Sequence, residues 1–226
     1  MIYDFHTHTF LSDGVLSPVE LARRALVKGY RAIGITDHVG LGGQKRLLRE
    51  LTEDCALASE QWGLVAIPGV ELTHIPVRAI PRVAQQAKEA GARLVVVHGE
   101  TIVEPVEQGT NLAAASCPYV DILAHPGLLT LEEARAAARN GVFIELSARR
   151  GHSLTNGHVA RVAIEAGASL LLDSDAHSPE DLLTTEIATQ IALGAGISAD
   201  EAQRALKGNP QLLLKKLGVR LDPSTP

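Results

Sequence analysis

Seven short apolar runs recur along the chain: Ile2–Phe5, Ala32–Thr36, Leu64–Ile67, Leu94–Val97, Val120–Ala124, Val142–Leu146 and Ser169–Leu172. Most are continuous rather than alternating, as parallel strands buried on both faces require. Helical start and stop signals fill the intervals. Ser17-Pro18-Val19-Glu20 is a capping box with proline at the first helical position, and Gly29 stands where that helix should stop. Thr130-Leu131-Glu132-Glu133 repeats the box, with Gly141 as its terminator. Ser178-Pro179-Glu180-Asp181 predicts a further helix directly after His177, and Gly91 and Gly167 end two more. Strand and helix alternating seven times predict an α/β protein, a (β/α)7 barrel of TIM-like kind. No linker or low-complexity stretch divides the chain. One barrel domain is expected over residues 1–221, with a frayed tail at 222–226.

The length of 226 residues suits one barrel slightly smaller than the eightfold form, which typically takes about 250. With 46% hydrophobic and 21% charged residues, the chain can bury a core, and disorder is not expected. A net charge of −5 argues against a broad grip on nucleic acid, though bound cations could still attract a small anion. Cys55 and Cys117 match no metal spacing and read as buried or incidental thiols in a reducing compartment. No apolar run is long enough to span a bilayer, and no leader precedes the first candidate ligands, so a cytoplasmic protein is expected.

The candidate chemistry sits at the ends of the apolar runs. His6 and His8 are two apart, so a strand would present both on one face. An isolated pair of this kind could equally be two packed core histidines. Here Asp13, His38, Glu71, His98, His125, Asp175 and His177 follow in polar breaks after other runs. Imidazole and carboxylate bind divalent metals at neutral pH, so one multinuclear centre at the C-terminal mouth of a barrel is expected. A doubly wound open sheet would leave some of these residues too far apart to share a site.

The set His6-Thr7-His8, Ser12-Asp13-Gly14, Thr36-Asp37-His38, Gly69-Val70-Glu71, Val97-His98-Gly99, Ala124-His125-Pro126 and Ser174-Asp175-Ala176-His177 resembles the PHP (polymerase and histidinol phosphatase) family over essentially the whole chain. The resemblance implies a distorted seven-stranded barrel with three divalent ions, Zn, Mn or Fe. It implies His6, His8, Glu71 and Asp175 on the first ion and a bridging Glu71 with His98 and His125 on the second. Asp13, His38 and His177 would take the third. Some members carry histidine where this chain has Asp13. Asp37 and Asp173 stand beside ligands and could orient them. Helix capping or a surface role suits them as well, and they are left out of the set.

The sixth run supplies no ligand, yet its exit reads Glu145-Leu146-Ser147-Ala148-Arg149-Arg150-Gly151-His152. Arg149 or Arg150 could clamp a phosphate, and the turn through Ser153–Gly157 leads into a helix whose N-terminus favours an anion. His74 and His152 are candidate proton donors to a leaving group, whereas His158 falls inside the predicted helix and reads as a packing residue. The segment from Gly99 to Asn111 is long enough to form a lid. The expected function is hydrolysis of a small phosphate monoester, as by histidinol-phosphate phosphatase, through a metal-bridged hydroxide with Glu71 and Asp175 at its centre. An amidohydrolase, a nuclease for short oligonucleotides and a non-catalytic metal-binding module are the rivals. A small phosphorylated substrate is the expected partner, with no membrane, and the oligomeric state is left open.

Overall fold

The structure, a computed structural model, describes residues 1–220, so the expected tail at 222–226 lies outside the described residues. Seven parallel strands follow one another around the sheet: β1 (Ile2–Asp4), β2 (Tyr30–Ile35), β4 (Val65–Leu72), β5 (Leu94–His98), β6 (Ile122–Ala124), β7 (Phe143–Ser147) and β8 (Leu170–Asp173). A two-residue strand, β3 (His38–Val39), adds to β4. The two ends of the sheet meet. A parallel bridge joins Thr7 to Ala176, His8 N–H donates to Ala176 O, and Phe5 N–H donates to the Asp173 carboxylate. The sheet is thereby a nearly closed barrel.

Capping chemistry starts two of the helices expected from the sequence. Ser17 caps α1 (Pro18–Val27) by accepting from Glu20 N–H. Thr130 and Glu133 form both bonds of the capping box on α5 (Leu131–Asn140), which ends at Gly141 in the left-handed region. α2 (Gln44–Trp62), α3 (Ile80–Glu89), α4 (Thr110–Ala115) and α6 (Asn156–Ala166) complete the outer layer beside these strands. The chain then runs through α7 (Thr185–Gly194), α8 (Ala199–Gln203) and α9 (Asn209–Lys216). One apolar layer lies between sheet and helices, and a second fills the barrel with Tyr3, Phe5, Ile67, Leu94, Val96, Ile122, Phe143 and Leu171. Leu213 and Leu214 of α9 close the lower end of that filling. Cys55 and Cys117 are free and buried. No described helix is long and apolar enough to cross a membrane.

Two local expectations change. The third run does not stop at Ile67, because β4 continues through Pro68 and Gly69 to Leu72. Proline's missing N–H is tolerated there, and its carbonyl accepts from Arg93 N–H. Gly69 is required by close approach, since a Cβ would stand 2.8 Å from Leu94 O. Glu71 therefore lies inside a strand, not in a break after one. The helix expected at Ser178–Asp181 is a turn, and α7 begins only at Thr185. The Asp181 carboxylate accepts from His177 N–H, Ser178 N–H and the Ser178 hydroxyl, so the capping chemistry holds a turn instead. Leu182 and Leu183 are buried immediately after it. Leu182 O accepts from Lys28 Nζ, and Leu183 N–H donates to the Tyr30 hydroxyl.

Candidate metal centre

The strand ends carry their polar side chains into one cluster at the upper mouth of the barrel. His6 Nε2 lies 3.3 Å from Glu71 Oε1, and His125 Nε2 lies 3.6 Å from the same oxygen. His8 Nε2 lies 3.1 Å from Asp175 Oδ1, and that oxygen is 3.9 Å from His6 Nε2. On the outer side, Asp13 Oδ2 lies 3.1 Å from His177 Nε2 and 3.5 Å from His38 Nε2. His98 joins them with its ring centroid 4.4 Å from that of His125, so all nine residues expected from the sequence are brought together. Four donors at about 2.0–2.1 Å from one ion would stand roughly 3.3 Å from each other, which matches this spacing.

The hydrogen-bond count supports the same reading. His6 Nε2, both nitrogens of His8, Glu71 Oε1 and His125 Nδ1 are buried without a hydrogen-bond partner. Orphaned buried polar atoms each cost on the order of 1–3 kcal/mol, and those of His6, His8 and Glu71 lie together as donors that suit a cation. Potential donors group as His6, His8 and Asp175, as His6, Glu71 and His125, and as His8, Asp13, His38 and His177. His8 is shared. Its Nε2 faces the first group, and its Nδ1 lies 3.8 Å from Asp13 Oδ1. The residues present fit divalent ions with mixed nitrogen and oxygen ligation.

Proton affinities follow from the crowding. Burial alone would lower His6, but Glu145, Glu71 and Asp175 outweigh it and hold this imidazole well above its ordinary range. Burial opposes His38 in the same way, and Glu71 and Asp13 push it up to about 10. Burial would raise Glu71, yet His6 and His38 hold it well below the carboxylate range. Asp175 is likewise lowered against burial, by His6 and His8. Burial, reinforced by His125, takes His152 down to about 3. Protons on imidazoles here balance carboxylates that metal ions would otherwise balance.

Glu145 and Glu104, which position the site, escape the sequence reading, whereas Asp37 and Asp173 are named in it as possible orienting groups and left out of the ligand set. Glu145, inside β7 and fully buried, sits 2.6 Å from His6 Nδ1, leaving Nε2 to face Glu71. A charged residue within the apolar run Val142–Leu146 was the available signal. Glu104, on the segment between β5 and α4, reaches His98 Nε2 at 3.1 Å, His152 Nε2 at 3.5 Å and His74 Nε2 at 3.7 Å. No spacing rule marks it. Asp37 is buried and neither caps a helix nor lies at the surface. Its carboxylate accepts from Thr9 N–H, the Thr9 hydroxyl and the Ser12 hydroxyl, fixing the loop that carries Asp13. Asp4 and Asp173 tie β1 to β8, accepting from Ser174 N–H and Phe5 N–H respectively.

Asp13, His38, Thr73, His74, His98, Glu104, His125, Arg149, His152, Asp175 and His177 line a cavity of about 230 Å³. Arg149 Nη1 donates to Asp175 O at 3.2 Å and lies 2.8 Å from His177 Nδ1, which is itself 2.9 Å from Asp175 O. Arg150 is not on this cavity but on a separate depression with Glu180 and Asp181. His158 lies in α6, as expected, with Nε2 2.7 Å from Leu129 O. Among the described non-glycine residues, only His74, His125 and Asp175 have positive φ, at 51°, 28° and 52°. All three are at the cavity, and such backbone costs about 1–3 kcal/mol each.

Comparison with known proteins agrees with this geometry. The PHP domain pattern matches residues 4–105, which include six of the nine expected ligands. An uncharacterized protein of Methanocaldococcus jannaschii is 48% identical over 218 residues, covering 96% of this chain and 100% of its own length. A probable phosphatase of Caldanaerobacter subterraneus subsp. tengcongensis is 30% identical over 203 residues, covering 78% of this chain and 76% of its own. In structure, the histidinol phosphate phosphatase of Lactococcus lactis, crystallised with zinc, L-histidinol and phosphate, superposes with a TM-score of 0.58 at 15% identity. That alignment covers 97% of this chain and 94% of the other, a likeness of fold. With the strand order, the donor cluster and these relatives in agreement, the chain belongs to the PHP domain family.

Proposed function

We propose that this protein is a metal-dependent phosphoesterase acting on a small phosphate monoester. One observation carries the reading: a guanidinium lines the same small cavity as six of the nine clustered metal donors, with the other three buried beside them. Without cations, Asp13, Glu71, Glu104 and Asp175 would repel a phosphate dianion. An anion-binding role and a cation-loaded site therefore imply each other. His6, His8, Glu71 and Asp175 would hold one ion, Glu71, His98 and His125 a second, and Asp13, His38 and His177 a third. Such ions would supply an acidified water and neutralise phosphate charge.

The chain's own groups divide the remaining work. Arg149, braced by His177 and the Asp175 carbonyl, keeps its other N–H groups for phosphate oxygens. Arg150 faces away and takes no part. His74 is half-exposed at the cavity edge and suits protonation of a leaving alcohol better than buried His152. A cavity of about 230 Å³ is below the usual range for a whole ligand, roughly 300–1,000 Å³. It admits a phosphate head end-on and leaves the rest of the substrate among the loops.

The test is a substrate panel on zinc-, manganese- or iron-loaded protein. It compares histidinol phosphate, sugar and nucleotide monophosphates, a phosphodiester, a 5′-phosphorylated oligonucleotide and a hydantoin. Monoesters should be turned over best. Arg149→Ala should reduce kcat/KM at least about tenfold while Arg150→Ala leaves it nearly unchanged. Cleavage of the hydantoin but of no phosphate would overturn the reading.

A further inference from the structure

His152 reaches the centre from the segment after β7, which contributes nothing to the nine-ligand pattern. Its ring stacks on His125 with centroids 4.1 Å apart and planes 15° from parallel, and lies 5.9 Å from His98 edge-on. One ring nitrogen from each of His98, His125 and His152 falls within 4.8 Å of the other two, and all three residues are buried. His152 Nδ1 is 2.7 Å from the hydroxyl of buried Thr101. Its Nε2 therefore faces the cluster, 3.8 Å from Asp175 Oδ2. Glu104 spans the same two imidazoles, with Oε1 3.5 Å from His152 Nε2 and Oε2 3.1 Å from His98 Nε2.

A packing histidine needs only one satisfied nitrogen and no convergence with others. A proton donor to a substrate needs access, and His152 is 5% exposed. An imidazole anchored through one nitrogen, with the other converging on two more imidazoles, is the arrangement of a metal ligand. We propose that His152 is a further protein ligand, on the ion that Glu71, His98 and His125 would share. Thr101 fixes its ring, and Glu104 covers the outer side. The inference rests on the metal-centre reading given above. Four protein donors fill a tetrahedral shell, whereas catalytic positions keep one place open. This ion would then hold the centre together and be the last one lost, while the other two face the substrate.

The experiment uses full-length His152→Ala, His152→Gln and Thr101→Val, each stripped and reloaded with Co2+ or Zn2+. Bound metal is counted by elemental analysis after dialysis against rising chelator concentrations, and the Co2+ visible spectrum reports coordination. Wild-type protein should release its ions stepwise and retain one equivalent longest. Both His152 variants should lose that equivalent at chelator concentrations about a hundredfold lower, with the tetrahedral cobalt band reduced. Thr101→Val, which keeps the ring but frees it, should lower retention about tenfold. Wild-type protein holding less than one equivalent would bring down the metal-centre reading itself. A full wild-type complement, with His152 variants releasing metal no more easily, would overturn only this inference. Lost turnover with intact metal in those variants would make His152 a proton-transfer group instead.

Discussion

Along β5 the alternating positions 94, 96 and 98 are Leu, Val and His, and along β7 positions 143 and 145 are Phe and Glu. Along β8 positions 171 and 173 are Leu and Asp. The lower half of the barrel is thus filled by aliphatic and aromatic side chains and closed by Leu213 and Leu214. The upper half holds imidazoles and carboxylates, of which His6, His8, Glu71, His98, His125 and Glu145 are as deeply buried. Below, burial of apolar area stabilises directly. Above, burial leaves His6, His8 and Glu71 with unpartnered atoms, a donor set that suits a cation. The comparison teaches that one strand can serve stability at its start and chemistry at its end, and that the two can be perturbed separately.

The sharpest separation is expected from Glu71→Gln. The volume is kept, but the charge beside His6, His38 and His125 is lost. Bound metal should fall, and turnover should drop at least about a hundredfold. Near-normal turnover with full metal would show that Glu71 is no ligand. At the lower end, Leu94→Ala removes a fully buried side chain and should cost about 2–5 kcal/mol in urea unfolding of the metal-free protein. Its metal stoichiometry after reloading should be unchanged, and a lost equivalent would break the independence of the two halves.

A smaller effect is expected from Glu145→Gln, because the ligand His6 remains and only its anchor loses charge. Metal affinity should weaken about 10–100-fold by chelator competition, and unchanged affinity would leave Glu145 a purely structural partner. The smallest effect is on pH dependence. His38 is held up to about 10 in the metal-free protein, against an ordinary value near 6.5. Its contribution to stability is full below about 6.5 and is lost as pH rises to about 10. Glu71 and Asp175 are lowered, so theirs is present above about 4 and lost on acidification. Thermal midpoints of metal-free protein should decline from pH 6.5 to 10, and those of metal-loaded protein should decline less. A rise in the metal-free midpoint over that window would contradict the assigned ion pairs.

Much of this was legible beforehand, for a physical reason. Histidines and carboxylates that interrupt apolar runs have few other uses, so His6, His8, His38, His98, His125, Asp175 and His177 pointed to one polar cluster, which the fold assembles. All seven parallel strands and the capped starts of α1 and α5 were legible from period and capping chemistry. Less visible was anything whose role depends on where the chain returns. Glu145 reads as one charge in a strand until β1 is laid beside β8 and its neighbours. Glu104 reads as a loop carboxylate until β5 and β7 place His98 and His152 under it. Pro68-Gly69 read as a strand end because proline and glycine usually are, but here Gly69 is demanded by Leu94, its partner on the neighbouring strand.

The seam between β1 and β8 has a consequence for how the molecule comes into being. Phe5 and Asp173 are separated by 168 positions, and Asp4 and Ser174 by 170, yet each pair is directly hydrogen-bonded. His6 and His8 are synthesised long before Asp175 and His177, which follow only after β8 has been made. During that interval Asp4 and the two histidines have none of their partners from the last strand. Contacts of such long sequence separation form late and slow folding. A cation held by His6, His8 and Asp175 would therefore find its full set of donors only once β8 is in place, as a clasp on the closed ring and not as a nucleus for building it.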